Sequence, residues 1–425
     1  DTHDHQGEIE TLQSADTGSD LPTISFGTWG FDPAYIATDI KPGDDFNAYA
    51  NKKWIDANPL PPEFSRIGAF VLLGEKSVAD VKALMDDLAA RDPASLSGDE
   101  KRIRDAYRTY LDTAAIEAAG LAPAKPYLDR IAAATTLDDL AKLWAEPGFA
   151  SPLSASVGID AKQPDRHIAQ VGFGGLGLPD RDYYLDTSDK GRAIQDKYKS
   201  YLAFLLGEAG YEDPEAQAAA VYAFEDRIAR EVAWDRAVRR NRDLTYNLLT
   251  ADELGAISGK VPVAAMLEQI GIAQSPGFVV ALMPPTAEEI AQYKLDEATR
   301  AKIGSGLPGM FTMLGDTPVE TLKAWMIKEF LSDHAAVLPS RFDAANFEFF
   351  GKTLRGTPEQ RPRWKRAIGE TEGLIGELVG KAYVARYFPP ENKAAMDELV
   401  ANLRLALGQS IDEITWMGEA TKAQA

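Results

Sequence analysis

Apolar positions along this chain recur at helical spacing far more often than at strand spacing. The clearest run lies at about 392–414. There Met396, Leu399, Val400, Leu403, Leu407, Ile411 and Ile414 fall at i, i+3, i+4 and i+7 and predict one long amphipathic helix. A second such helix is expected over about 215–232, with Val221, Phe224, Ile228 and Val232 on one face. A third is expected to start at Ser77, read as an N-cap, and to bury Val78, Val81, Leu84, Met85 and Leu88. Leu374, Ile375, Leu378, Val379 and Ala382 form a further stripe. Strand signals are few. Residues 154–159 and 167–173 flank the turn-rich Lys162-Gln163-Pro164-Asp165-Arg166 and predict a small hairpin. No fixed-period repeat or low-complexity linker divides the chain, and 92–98 and 275–277 are only loop candidates. The pattern predicts a mainly α protein carrying one β-hairpin.

Composition narrows the chemistry. A length of 425 residues with 45 % hydrophobic and 26 % charged residues can bury a large core. Cysteine is absent, so disulfides, thiolate metal sites and a cysteine nucleophile are excluded. The formal net charge of −20 disfavours a nucleic-acid partner. No run approaches the ~20 apolar residues of a membrane-spanning helix, and no signal-peptide apolar stretch opens the chain. Residues 1–23 are polar and acidic and read as a disordered leader ahead of a folded region at 24–425. If Asp1 carries a free amine, Asp1-Thr2-His3 could form a square-planar nitrogen site for Cu(II) or Ni(II).

Catalytic motifs are missing. The histidines are His3, His5, His167 and His334, and none belongs to a His-Glu-x-x-His pair on one helix face. His167 and His334 read as structural or surface residues. There is no Gly-x-Ser-x-Gly elbow and no Walker loop. The glycine cluster Gly172-Phe173-Gly174-Gly175-Leu176-Gly177 leads into Leu178-Pro179-Asp180 and not into a helix, which disfavours a nucleotide fingerprint. Pro42-Gly43 is a turn signal, and Asp44 or Asp45 could cap the helix after it.

Six segments, in order, together resemble the neprilysin family of zinc metallopeptidases, in its bacterial exported branch. They are Phe31-Asp32 with Lys41-Pro42-Gly43-Asp44-Asp45-Phe46, Tyr49-Ala50-Asn51 and Trp54; Ser65-Arg66-Ile67-Gly68-Ala69-Phe70; and the long Gly175-Leu176-Gly177-Leu178-Pro179-Asp180-Arg181-Asp182-Tyr183-Tyr184-Leu185. Arg242-Asp243 with Tyr246-Asn247, Gly380-Lys381-Ala382-Tyr383-Val384 with Phe388, and Ile414-Thr415-Trp416-Met417 with Thr421-Lys422 complete the set. The long third segment is the most specific, and Tyr183 and Tyr184 within it read as packing aromatics.

The resemblance implies a large multi-helical lobe on one side of a two-lobed metallopeptidase enclosing a central cavity. It implies a zinc-dependent metalloendopeptidase whose single Zn ion and His-Glu-x-x-His helix belong to a C-terminal catalytic domain beyond Ala425. This segment alone is then expected to be inactive, with no catalytic or metal-binding residue of its own. The implied partners are oligopeptide substrates and the catalytic portion, either continuous with this chain or as a separate nicked chain. The implied location is periplasmic or secreted. The resemblance carries over one functional residue, Arg66, which occupies the position of a family arginine that binds a peptide's terminal carboxylate. A guanidinium suits that task because it is always charged and presents a fork of donors. A nearby acid and a second arginine of the mammalian pattern are replaced here by Val71 and Gly74. The alternative reading is a stand-alone, non-catalytic peptide-binding helical module.

Overall fold

The computed structural model describes residues 31–425, so the leader at 1–23, with His3 and His5, lies outside the described residues. The chain divides into two compact units. One comprises the described residues up to Asp112 together with Pro358–Ala425, and the other is Thr113–Thr357. The loop candidates at 92–98 and 275–277 fall within units and not between them.

In the first unit, helix α1 (Phe46–Ala57) starts where the Asp45 carboxylate accepts the Ala48 N–H at 2.8 Å, an ordinary N-cap. Helix α2 spans Ala69–Ala90. Ser77 is therefore inside the helix and not its cap. Its hydroxyl donates to the Leu73 carbonyl at 3.2 Å, the usual way a mid-helix serine is satisfied. The inward face of α2 carries Leu72, Val81, Leu84, Met85 and Leu88, each contributing about 1.5–3 kcal/mol by burial. Helix α3 (Gly98–Leu111) opens with a Ser97–Glu100 capping box and buries Ile103, Tyr107 and Tyr110.

The second unit is built on a three-helix arrangement. Helices α4 (Asp189–Glu208), α5 (Pro214–Arg227) and, after α6 (Gly306–Asp316), α7 (Val319–Asp333) pack pairwise. Val221, Phe224, Ile228 and Val232 are buried as expected. The helix predicted over 215–232 ends its regular part at Arg227, and a π-helical turn continues it to Val232. A four-stranded sheet lies beside the helices, its strands adjacent in the order first, second, fourth, third along the chain. Strands β1 (Leu153–Asp160) and β2 (Gln163–Phe173) form the expected hairpin, with Val157 opposite Ala169. The turn is tighter than the sequence suggests, because Gln163 to Arg166 already belong to β2. Strands β3 (Asn247–Leu249) and β4 (Phe278–Val280) have no counterpart in the sequence pattern. They are three residues each, too short for a period-2 pattern to register. β4 runs parallel to β2 and antiparallel to β3.

The chain returns to the first unit with α8 (Arg363–Tyr387), which packs on α2 and α3, and α9 (Pro390–Glu413). The stripe from Leu374 to Ala382 does not form a buried face. Ile375 has φ −140° and ψ 38°, which kinks α8. Of the stripe only Val379 is fully buried, while Leu374 is 75 % exposed. The long helix at 392–414 is present as α9, but Met396, Leu399, Val400, Leu403 and Leu407 are all exposed.

Candidate functional site

Arg66 sits in the non-regular segment between the prolines at 59–62 and the start of α2. Its side chain is exposed and, among the described residues, makes no hydrogen bond or ion pair. A guanidinium left free in this way can receive a carboxylate bidentately without first breaking an internal pair. The segment is itself anchored. Glu63 pairs with Lys365 of α8, and Lys365 pairs with Glu75 of α2 at 2.7 Å. Arg361 reaches the other Glu75 oxygen at 2.5 Å. The Phe64 ring lies 5.7 Å from both the Arg361 and Lys365 cations, within cation–π range. Val71 and Gly74 lie in the first turns of α2 and carry no charge.

His167 lies in β2 opposite Ile159. His334 caps the C-terminus of α7. Its Nδ1 meets the Phe330 carbonyl at 2.8 Å and its ring stacks on Phe330. Among the described residues no group of three or more His, Asp or Glu side chains could hold a metal ion. These residues therefore do not fit a zinc site, and no step of peptide hydrolysis through zinc is assigned to them.

The second concentration of charge is buried in the second unit, and it explains the longest sequence motif. Glu225 on α5 and Lys328 on α7 pair at 2.6 Å, with side chains 0 % and 2 % exposed. Lys328 also pairs with Glu329 at 2.6 Å and donates to the Tyr198 hydroxyl at 3.1 Å. Tyr198 and Tyr184 both donate to Glu225, at 2.9 and 2.7 Å. The Tyr184 oxygen in turn accepts the N–H groups of Gly177 and Leu178 at 3.2 and 3.0 Å. Burial pushes both tyrosine hydroxyls far above their ordinary range, so they remain donors. Burial also pushes the Glu225 carboxyl up, against the pull of Lys328. Burial alone would lower Lys328, but Glu225 and Glu329 on either side raise it and hold it protonated. A group this enclosed meets no substrate. Its chemistry is to fix the loop at 174–181 against α4, α5 and α7.

The rest of the motif serves the same end. Trp325 Nε1 donates to the Gly175 carbonyl at 3.2 Å, and Gly175 has φ +93°, a conformation that favours glycine. Asp180 accepts from Arg239 at 2.7 Å, and Arg230 donates to the Tyr184 carbonyl at 2.8 Å. Gly175 and Gly177 are thus sites of close approach, to Ile228 and to the Tyr198 hydroxyl, and not part of a phosphate cradle. Tyr246, from the fourth segment, donates to Asp160 at the hairpin turn at 2.8 Å.

Residues 42–425 match the N-terminal model of peptidase family M13. The chain belongs to that family. It is similar to the N-terminal region of neprilysin-like M13 peptidases. Human endothelin-converting enzyme 1 is 27 % identical over 402 residues, which cover 91 % of this chain and 49 % of that protein. Neprilysin-3 of Drosophila melanogaster is 24 % identical over 412 residues, covering 92 % of this chain and 50 % of that protein. This M13 chain thus spans about half the length of the curated relatives it matches. Among solved structures, the zinc metalloprotease Zmp1 of Mycobacterium tuberculosis, in complex with an inhibitor, superposes with a TM-score of 0.76 at 27 % identity, covering 92 % of this chain and 57 % of that one. The same protease in its open state gives 0.70 at 28 % identity, covering 90 % of this chain and 57 % of that one. No helix among the described residues is long and apolar enough to cross a membrane.

Proposed function

We propose that this chain is the helical, substrate-restricting portion of an exported zinc metalloendopeptidase, periplasmic or secreted, and that Arg66 receives the terminal carboxylate of its oligopeptide substrates. The zinc ion and its ligands belong to a further catalytic portion, covalently continuous or held as a separate chain. That portion covers the exposed apolar face of α9, where Met396, Leu399, Val400, Leu403 and Leu407 would otherwise meet water. Helical walls around a cleft restrict substrates by size and need no affinity for them.

The observation that carries the carboxylate assignment is the state of Arg66. It is exposed, unpaired among the described residues, and set on an anchored segment in an M13 chain. A charge-assisted contact of this kind contributes about 1.5–3 kcal/mol, or about 10- to 150-fold in rate or affinity. In the zinc-loaded enzyme containing this chain, Arg66→Ala should lower kcat/KM by that factor on short peptides with a free C-terminus. The same peptides as C-terminal amides should lose much less. Equal losses on acid and amide would remove the assignment.

A further inference from the structure

The Arg66 segment has no helix or strand to stiffen it, yet a terminal-carboxylate receptor must hold its guanidinium in one place. The ion cluster beneath it answers that need. Two carboxylates, Glu63 and Glu75, and two cations, Lys365 and Arg361, pair with one another across three parts of the chain. The Lys365 side chain is only 7 % exposed and lies between the two acids. Burying an ammonium is costly, and a hydrophobic side chain of similar size often serves stability as well, so such a pair is better explained by geometry than by strength. Here the geometry is specific. Glu75 is fixed on α2 and Lys365 on α8, whereas Glu63 belongs to the irregular segment itself.

Two backbone contacts reinforce the anchor. The Glu359 N–H donates to the Pro62 carbonyl and the Phe64 N–H to the Pro61 carbonyl, both at 3.1 Å. Arg66 then lies midway between Glu63 and Ala69, the first residue of α2. Three virtual bonds reach at most about 11 Å, so fixing both ends confines the residue between them.

We propose that Lys365 is a positioning residue, whose ammonium, clamped between Glu63 and Glu75, holds the segment that presents Arg66 to a peptide carboxylate. This rests on the carboxylate assignment made above for Arg66. Lys365 touches no substrate, and its effect passes through Glu63 and the backbone to Arg66.

The test uses the whole chain and three variants. Lys365→Met removes the clamp, Glu63→Gln releases only the segment and leaves the buried Lys365–Glu75–Arg361 pairs intact, and Lys365→Arg keeps the charge. Hydrogen exchange at the Phe64 and Glu359 amides reads the anchor directly, and a dye-labelled pentapeptide offered as acid and as amide reads Arg66. Exchange at both amides should accelerate about tenfold or more in Lys365→Met and Glu63→Gln, equivalent to about 1.4 kcal/mol, and return near wild type in Lys365→Arg. The wild-type preference for acid over amide should fall toward unity in the first two variants and recover in the third. Unchanged exchange in Glu63→Gln overturns the proposal whether or not peptide binds, and Glu63→Gln keeps the test valid if Lys365→Met does not fold. A preference for acid that survives in both loosened variants overturns positioning by Lys365 alone. A wild-type chain that binds acid and amide equally overturns the Arg66 assignment, and the positioning role falls with it.

Discussion

Gly177 shows how tightly single residues are specified in the buried network. A Cβ added there would stand 1.7 Å from the Tyr198 hydroxyl and 2.8 Å from Lys328 Nζ. Gly177→Ala must therefore move the Tyr198 ring or lift the loop, and either loosens the contacts on Glu225. Overpacking of this kind costs about 1–3 kcal/mol, and the upper end applies here because the displaced group is a buried, hydrogen-bonded one. The urea midpoint should fall with the slope unchanged, while a midpoint within error of wild type would show that Tyr198 has room to move. The network left a trace in the sequence that periodicity alone passes over. Glu225 follows Val221 by four positions and precedes Ile228 by three, so it lies on the buried face of its helix. Lys328 directly follows the apolar run Trp325-Met326-Ile327. Glu75 in α2 is a third instance, three positions after Leu72. A charge at a core position needs a partner, but the sequence does not say which distant residue supplies it.

At the scale of elements, β2 buries Ile168, Ala169 and Val171, whereas β1 is tied mainly by the hairpin turn. Val157 and Ile159 are exposed, so apolar burial does little for β1. The tie is Asp160, which accepts the Lys162 N–H, the Tyr246 hydroxyl and the Arg166 guanidinium, each at 2.8 Å. Burial pushes this carboxyl up, but the three donors outweigh it and hold it down to about 2, from an ordinary 3.8. A depressed carboxyl contributes stability that is fully present above its unfolded value and is lost as pH falls through its folded one. Asp160→Asn should therefore unfold at lower urea than wild type at about pH 5, and the gap should close as pH falls from about 4 to about 2. A gap that stays constant over that range would mean that the tie is steric and not ionic. The helices differ in how legible they are. The inward faces of α2 and α5 follow from spacing because their apolar residues are buried within their own units. The stripes of α8 and α9 look the same in sequence, yet the kink at Ile375 breaks the first and the second is exposed. Spacing reports that a face is apolar, and it does not report what covers it.

For the molecule as a whole, the division into units makes a prediction that chain order alone does not suggest. The larger core, from Ala124 to Phe349, lies entirely within Thr113–Thr357. The Glu225–Lys328 network and the four-stranded sheet lie there too. That unit is one continuous stretch of chain, whereas the other is assembled from two separated stretches. A domain with its own core and one continuous segment can fold alone. Residues 113–357, expressed by themselves, should be monomeric and unfold in a single cooperative urea transition. Trp144, Trp234 and Trp325 report on it directly, since they are 6 %, 0 % and 2 % exposed. Their emission should be blue-shifted in the native segment and shift to the red at one midpoint, coincident with the loss of far-UV circular dichroism. Gly177→Ala should lower that midpoint by the same amount as in the full chain, because everything Gly177 touches is inside the segment. Red-shifted emission before any urea is added, or two transitions by the two probes, would mean that the core of 113–357 depends on the rest of the chain, and the boundary at Asp112 and Pro358 would then not be one of folding.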